Sequence, residues 1–268
     1  MFNDIVIVRG GGDLASATIQ KLYRSGFRVL VLEVPEPTAI RRSVSFSEAI
    51  YESEVEIEGI RALHVYSISE IENAWSNRKV PVIIDAEGKY IKELNPKIVV
   101  DAIIAKKNMG TTKDMAGITI ALGPGFSAGY DVDIVIETTR GHNLGRLIFN
   151  GEAAKNTGIP GNIMGYSKER VIHSTSSGVM KNVLGIGDVV KKDEVIAYIG
   201  DNEVKATISG LLRGIIRSGS FVTKGFKIAD IDPRATENIN CYTISDKARS
   251  IAGGVLEAIL YLINKSKG

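Results

Sequence analysis

Residues 4–15 read Asp-Ile-Val-Ile-Val-Arg-Gly-Gly-Gly-Asp-Leu-Ala. A β-branched run stops at three consecutive glycines, and a helical apolar spacing begins at once. The pattern predicts a strand that enters a helix through a turn tight enough to need glycine. Gly10, Gly12 and Ala15 also stand at the Gly-x-Gly-x-x-Gly/Ala spacing of a dinucleotide-binding βα turn. In that turn the first glycine permits the bend and the second lets backbone approach a pyrophosphate. The small third residue lets the helix pack close to the strand. The helix then points its free amides and positive dipole end at the anion. Gly10, Gly11, Gly12, Asp13, Leu14 and Ala15 are therefore candidate cofactor-binding residues. A glycine-rich turn that binds nothing is the plain alternative.

A second buried-type strand, Arg28–Glu33, ends in an acid a little over 20 residues past Gly10, where dinucleotide folds place a ribose-binding carboxylate. Pro35, Pro37, Arg41 and Arg42 follow. Two arginines there suit bidentate phosphate binding, or form a solvated basic turn; both readings stay open. Val80–Asp85 and Ile98–Asp101 are further buried-type runs ending in aspartate, which puts Arg9, Asp13, Glu33, Asp85 and Asp101 on one sheet rim. Ligands of open α/β sheets bind beyond the carboxyl ends of strands.

The stretch 101–146 crowds Lys106, Lys107, Asn108, Thr111, Thr112, Arg140, His142 and Arg146 among glycines, with Gly123, Gly125 and Glu137 between them. Cations and hydroxyls beside freed backbone suit an anionic ligand such as a phosphate-bearing cofactor. Asp101 and Glu137 close the set. His142, in a Gly-flanked turn, is a weak acid/base candidate, against the structural role more usual for a lone histidine. The three histidines are far apart and no Cys/His spacing of a metal site exists, so no metal is expected. No Gly-x-Ser-x-Gly elbow or P-loop is present.

Composition matters here mainly for what it excludes. The chain has 268 residues, 33 basic against 31 acidic, a balance that implies neither a nucleic-acid nor a membrane partner. Its single cysteine allows no intrachain disulfide and fits a reducing compartment. Met1-Phe2-Asn3-Asp4 carries no basic leader region, and no apolar run reaches the ~18 residues of a membrane span. A soluble cytoplasmic protein is the expectation.

Residues 171–232 repeat with an offset of 32: Ser177-Gly178-Val179 matches Ser209-Gly210-Leu211, Val190 matches Val222, and Ile196-Ala197 matches Ile228-Ala229. Two such halves resemble the barrel-sandwich hybrid of biotinyl and lipoyl carrier domains. Lys205 lies only five residues before Gly210, too close for a carrier's modified tip. A docking or positioning role is read, without a swinging arm. Residues 246–264 form an amphipathic helix pattern expected to pack back on a core. Gly253-Gly254 inside it implies close approach to another backbone or a ligand. Cys241 is a weak candidate sulfur or selenium carrier, which would need exposure and a lowered pKa.

The predicted architecture is α/β: a Rossmann-like domain with a mainly parallel sheet (1–165), a small all-β barrel-sandwich hybrid (166–233), and a C-terminal segment and helix returning to the first domain (234–268). Seven motifs carry a family resemblance. They are Arg9-Gly-Gly-Gly-Asp-Leu-Ala15, Pro37-Thr-Ala-Ile-Arg-Arg42, Ala105-Lys-Lys-Asn-Met-Gly-Thr-Thr112, Gly123-Pro-Gly-Phe126, Glu137-Thr-Thr-Arg-Gly-His142, Asn156-Thr-Gly-Ile-Pro-Gly161 and Thr243-Ile-Ser-Asp-Lys-Ala-Arg249. Together they resemble the YqeB-type accessory proteins of selenium-dependent molybdenum hydroxylases. The resemblance implies a role in maturing those enzymes rather than a defined reaction. The ligand stays unknown: Gly10–Ala15 and Lys106–Thr112 make molybdopterin cytosine dinucleotide or another nucleotide the candidate, ahead of NAD(P), and the apo-hydroxylase or a selenium or sulfur donor protein is the candidate partner. Self-association stays open. Two other classes remain: an NAD(P)-dependent oxidoreductase using the same glycine turn, and a scaffold or chaperone that binds no small molecule.

Overall fold

The computed structural model describes residues 4–234 and 239–265, so the extreme N-terminus read above lies outside it. The chain forms two compact units. One comprises Met1–Pro37, Ser45–Asn156 and Ile244–Gly268, the other Thr38–Val44 and Thr157–Thr243.

The first unit begins with β1 (Ile5–Arg9), α1 (Asp13–Arg24) and β2 (Arg28–Glu33). Then come α2 (Ala49–Glu52), the hairpin β3 (Glu54–Ile57) and β4 (Ile60–His64), α3 (Ile68–Ser76), β5 (Val80–Ile84), α4 (Lys89–Leu94) and β6 (Ile98–Asp101). It continues through β7 (Ile118–Leu122), β8 (Ser127–Ala128), β9 (Ile134–Ile136), β10 (Leu147–Ile148) and β11 (Gly151–Glu152), and closes with α5 (Asp246–Lys265). Nine strands make one sheet in the order β10-β9-β7-β6-β1-β2-β5-β4-β3. The seven inner strands run parallel, while β10 and β3 are antiparallel edges. The β-branched runs are buried on both faces, as parallel strands must be. Val6, Val8, Val29, Val31, Val82 and Val100 face α1 and α5. Ile7, Leu30, Leu32, Ile83 and Val99 meet Ile71, Ala74 and Ile91 of α3 and α4 on the other face. Each such side chain contributes about 1.5–3 kcal/mol on burial.

The nine-stranded mixed sheet corrects the predicted Rossmann-like domain. Strand–helix alternation stops at β6: no α-helix lies between β6, β7 and β9. The cover for that half of the sheet comes from the far end of the chain, through α5. Buried-type runs report burial on two faces, and are silent on what supplies it.

The second unit is all β: β12 (Val171–His173), β13 (Gly178–Asn182), β14 (Val189–Val190), β15 (Val195–Ile199), β16 (Asn202–Lys205), β17 (Gly210–Ile215), β18 (Phe221–Val222) and β19 (Lys227–Asp232). The repeat shows in the pairing. Gly178 and Val179 of β13 pair Val222 and Phe221, and at the same offset Gly210 and Leu211 of β17 pair Val190 and Val189. Each copy thus lends a strand to the other's sheet. The expected self-contained barrel-sandwich hybrid is corrected too. The strands form two separate four-stranded sheets, β12-β19-β17-β14 and β16-β15-β13-β18. The unit also takes in Thr38–Val44, with Ile40 against Gly214 and Arg42 Nε donating to the Ile215 carbonyl at 2.9 Å. A repeat specifies its own strands; a distant segment that covers them leaves no periodic trace.

Candidate functional site

The carboxyl ends of β6, β1, β2 and β5 adjoin along one edge of the nine-stranded sheet, with Arg9 opposite both Leu32 and Asp101 and Glu33 opposite Ile84. The glycine turn sits at the centre of that edge. Gly10 has φ +93°, and a Cβ there would press on the Ala102–Ile103 backbone at 3.0–3.1 Å. At Gly11 a Cβ would meet the Ser47 amide nitrogen at 2.8 Å. Gly11 N–H donates to Glu33 Oε2 at 2.7 Å, and its carbonyl accepts from Ser47 N–H at 2.9 Å and Ser16 Oγ at 3.1 Å. Gly12 differs: it is the N-cap of α1 with φ −65°, and nothing lies within 4 Å of a Cβ there. Asp13 opens the helix, Leu14 packs partly on the core, and Ala15 is buried between helix and sheet.

Three of the acids predicted on this rim, Glu33, Asp85 and Asp101, have local tasks. Glu33 accepts from Gly11 and Val34 amides, and burial pushes its carboxyl above the usual glutamate range. Asp85 accepts from the Gly88 and Tyr90 amides at the start of α4. Asp101 is 2% exposed and accepts from Ile103 N–H at 3.1 Å and Thr111 Oγ1 at 2.6 Å. Burial also raises its pKa, against the pull of those bonds and of Arg9. Arg9 lies 3.8 Å from Asp101, donates to the Thr111 hydroxyl, and reaches the Ala86 carbonyl at 3.1 Å. This buried trio ties the loop after β6 to the sheet edge.

That loop is further shaped by Asn108, whose Oδ1 accepts from Gly110 and Thr111 amides at 2.8 Å and whose Nδ2 donates to the Thr111 carbonyl. Ile104 and Lys106 both have positive φ, +60° and +63°. A β-branched residue in that region stores strain that surrounding contacts must hold. Lys106 and Lys107 are exposed and make no hydrogen bond or ion pair among the described residues. Thr112 hydrogen-bonds Asp114.

The neighbouring loops close on this one. A Cβ on Gly125 (φ +106°) would strike the Lys107 backbone at 2.6–2.7 Å, and one on Gly123 the Thr138 hydroxyl at 2.6 Å. Glu137 is buried and accepts from Thr139 and Ala154 amides at 2.7 and 2.8 Å. Arg140 is turned to Asp246 at the start of α5, at 2.8 and 3.2 Å. His142 is exposed in the following turn.

Arg41, Arg42 and Cys241 belong to the second unit, apart from the glycine turn's own unit. Cys241 is 2% exposed and burial pushes its thiol up, so it meets neither requirement of a reactive carrier. It lines a cavity of about 340 Å³ with Gly187, Val189, Leu211, Ile239, Asn240 and Tyr242. Among the described residues no cluster of three or more His, Cys, Asp or Glu suits a metal ion, and no helix is long and apolar enough to cross a membrane. Sequence reasoning missed Ser47, the residue laid over Gly11. Nothing local marks it: its role depends on a segment 36 positions away folding onto the turn.

The chain is thus a two-unit α/β protein whose parallel strands end in packed, glycine-jointed loops around a helix N-terminus. In sequence it is 47% identical over 263 residues to the uncharacterized protein YqeB of Escherichia coli (strain K12). That match takes in 98% of this chain and 48% of YqeB, so the chain spans about half the length of the relative it resembles. No family model matches it. Among solved structures, it aligns with the product-bound ectoine utilization protein EutE of Ruegeria pomeroyi at 10% identity and a TM-score of 0.26, over 87% of this chain and 86% of that one. An aspartoacylase family protein of Mesorhizobium loti aligns at 11% identity and a TM-score of 0.26, over 88% and 86%. Overlaps this low carry no argument about activity.

Proposed function

We propose that the chain binds a phosphate-bearing nucleotide or pterin dinucleotide at this sheet edge, and that binding serves the maturation of a molybdenum hydroxylase. Gly12 carries the binding reading. Packing accounts for Gly10 and Gly11, yet neither strain nor packing asks for glycine at 12. What glycine leaves there is bare backbone at an N-terminus of α1 that no side chain caps. Such a terminus suits a phosphate. Lys106 and Lys107 stand in the loop packed on Gly10 and supply the matching charge. Asp13 places a negative charge in the first turn, so the approach is from Gly12 and the lysine loop. Glu33 spends its acceptors on the turn itself, which weighs against a nicotinamide dinucleotide whose ribose needs that carboxylate. The maturation role rests on the motif resemblance; the hydroxylase apo-enzyme or a selenium or sulfur donor is the partner it implies.

Gly12→Asp tests the binding. Aspartate is a strong N-cap, better than glycine by roughly a few tenths of a kcal/mol, and meets no steric bar here. It also sets a carboxylate where the phosphate would lie. The variant should melt no lower than the parent while losing at least tenfold in cytidine diphosphate affinity by calorimetry. Unchanged affinity refutes the site, and tight NADH binding would favour hydride transfer instead.

A further inference from the structure

Two and three strands along from the glycine turn, the same edge carries an exposed apolar strip. Ile84 ends β5 opposite Glu33 and is 40% exposed. His64 ends β4 opposite Val82, and alternation puts Val82, Ile84 and His64 on one face. Tyr66 follows and is 70% exposed, yet it is held at three points. Its ring leans on His64 with centroids 4.4 Å apart, its hydroxyl lies 3.2 Å from His64 Nδ1, and its N–H donates to Glu70 Oε2 at 3.0 Å. An aromatic ring fixed from one side and open on the other is a ready stacking platform that loses little entropy on use. Burial holds the His64 imidazole below its ordinary pKa, so the platform suits a neutral ring better than a phosphate. Strand spacing sets β5 and β4 ~10 and ~14 Å from β1, within the reach of a ribose and its base from a phosphate.

We propose that Ile84 and Tyr66 seat the planar heteroaromatic ring of the nucleotide whose phosphate lies at Gly12. The proposal rests on the phosphate reading above and adds a direction to it: the ring lies toward β4, the lysine loop on the opposite side.

Calorimetry with cytidine diphosphate, guanosine diphosphate and inorganic pyrophosphate, on the parent, Tyr66→Ala and Ile84→Ser, tests it. Both sites are exposed, so the fold should hold. The parent should bind at least one nucleotide tenfold more tightly than pyrophosphate. Each variant should lose about tenfold for that nucleotide, the size of a lost stacking contact, with pyrophosphate unchanged. Equal binding of nucleotides and pyrophosphate, variants without effect, or a parallel loss for both ligands overturns the ring seat and leaves the phosphate site standing. No binding of any of the three by the parent overturns both.

Discussion

Glu33, half-buried, and Asp101, buried, are carboxyls whose bonding partners are supplied mainly by the turns beside them. Burial lifts both above their ordinary values, more than those hydrogen bonds pull them down. The native chain therefore holds these protons to higher pH than the unfolded chain does. The stability so gained is full below the ordinary carboxylate value, and it is lost as pH rises through the raised folded value. Glu33→Gln keeps an acceptor for Gly11 but cannot titrate. Urea midpoints for parent and variant, taken from pH 4 upward, should diverge: the parent's stability falls relative to the variant's by at most 1.36 kcal/mol per pH unit within that window. Parallel curves would show that Glu33 titrates normally. The place of Glu33, at the end of a strand a fixed distance past the glycines, was legible in the sequence. Its task was not, because which way a carboxylate turns is decided by an amide brought to 2.7 Å only when two strands adopt their register.

At the scale of elements, α5 shows why one of two adjacent glycines is needed. A Cβ on Gly254 would overlap the Gly145 carbonyl oxygen, whereas Gly253 has nothing within 4 Å. Gly145 in turn has φ +79° and would meet the Ser250 carbonyl at 2.8 Å, so two backbones cross with no side chain between them. Helix propensity alone predicts that alanine stabilises either position by about 1 kcal/mol. Gly253→Ala should gain that amount in urea unfolding. Gly254→Ala should instead lose about 1–3 kcal/mol, the usual penalty of overpacking. The glycine pair itself was readable from sequence as a close approach; which of the two makes it, and to what, depends on how a helix 110 residues downstream lies on the turn after β9. Strands such as Arg28–Glu33 and Ile98–Asp101 were readable because burial on two faces leaves an unbroken apolar run. The helix-free passages after β6 were not, since their order comes from Asn108, Thr111 and Glu137 bonding across loops.

At the scale of the whole chain, the second unit depends on a segment that the sequence reading assigned to the first. Thr38–Val44 leaves the run that follows β2 and joins the strands of residues 157–243. The offset-32 repeat was visible because each copy must bury equivalent positions; the seven-residue segment carries no such period, and Arg41-Arg42 invited a phosphate reading on charge alone. Its hold is physical and local to the unit. Gly214 leaves room for Ile40, whose side chain and carbonyl oxygen would both lie 2.9 Å from an added Cβ. Arg42 donates to Ile215, and Ser43 Oγ donates to the Cys241 carbonyl at 2.5 Å. Gly214→Ala should therefore force the segment off the sheet while leaving the apolar interior around Leu212, Ile215 and Ile231 intact. Trypsin reads the change directly, because Arg41 and Arg42 are cleavage points only when the segment opens. An overpacking penalty of about 2 kcal/mol raises the open population roughly 30-fold, and cleavage between 41 and 44 should accelerate by that factor if opening is fast relative to cutting. An unchanged cleavage rate with an unchanged melting temperature would mean that the segment is not held by its contact with Gly214.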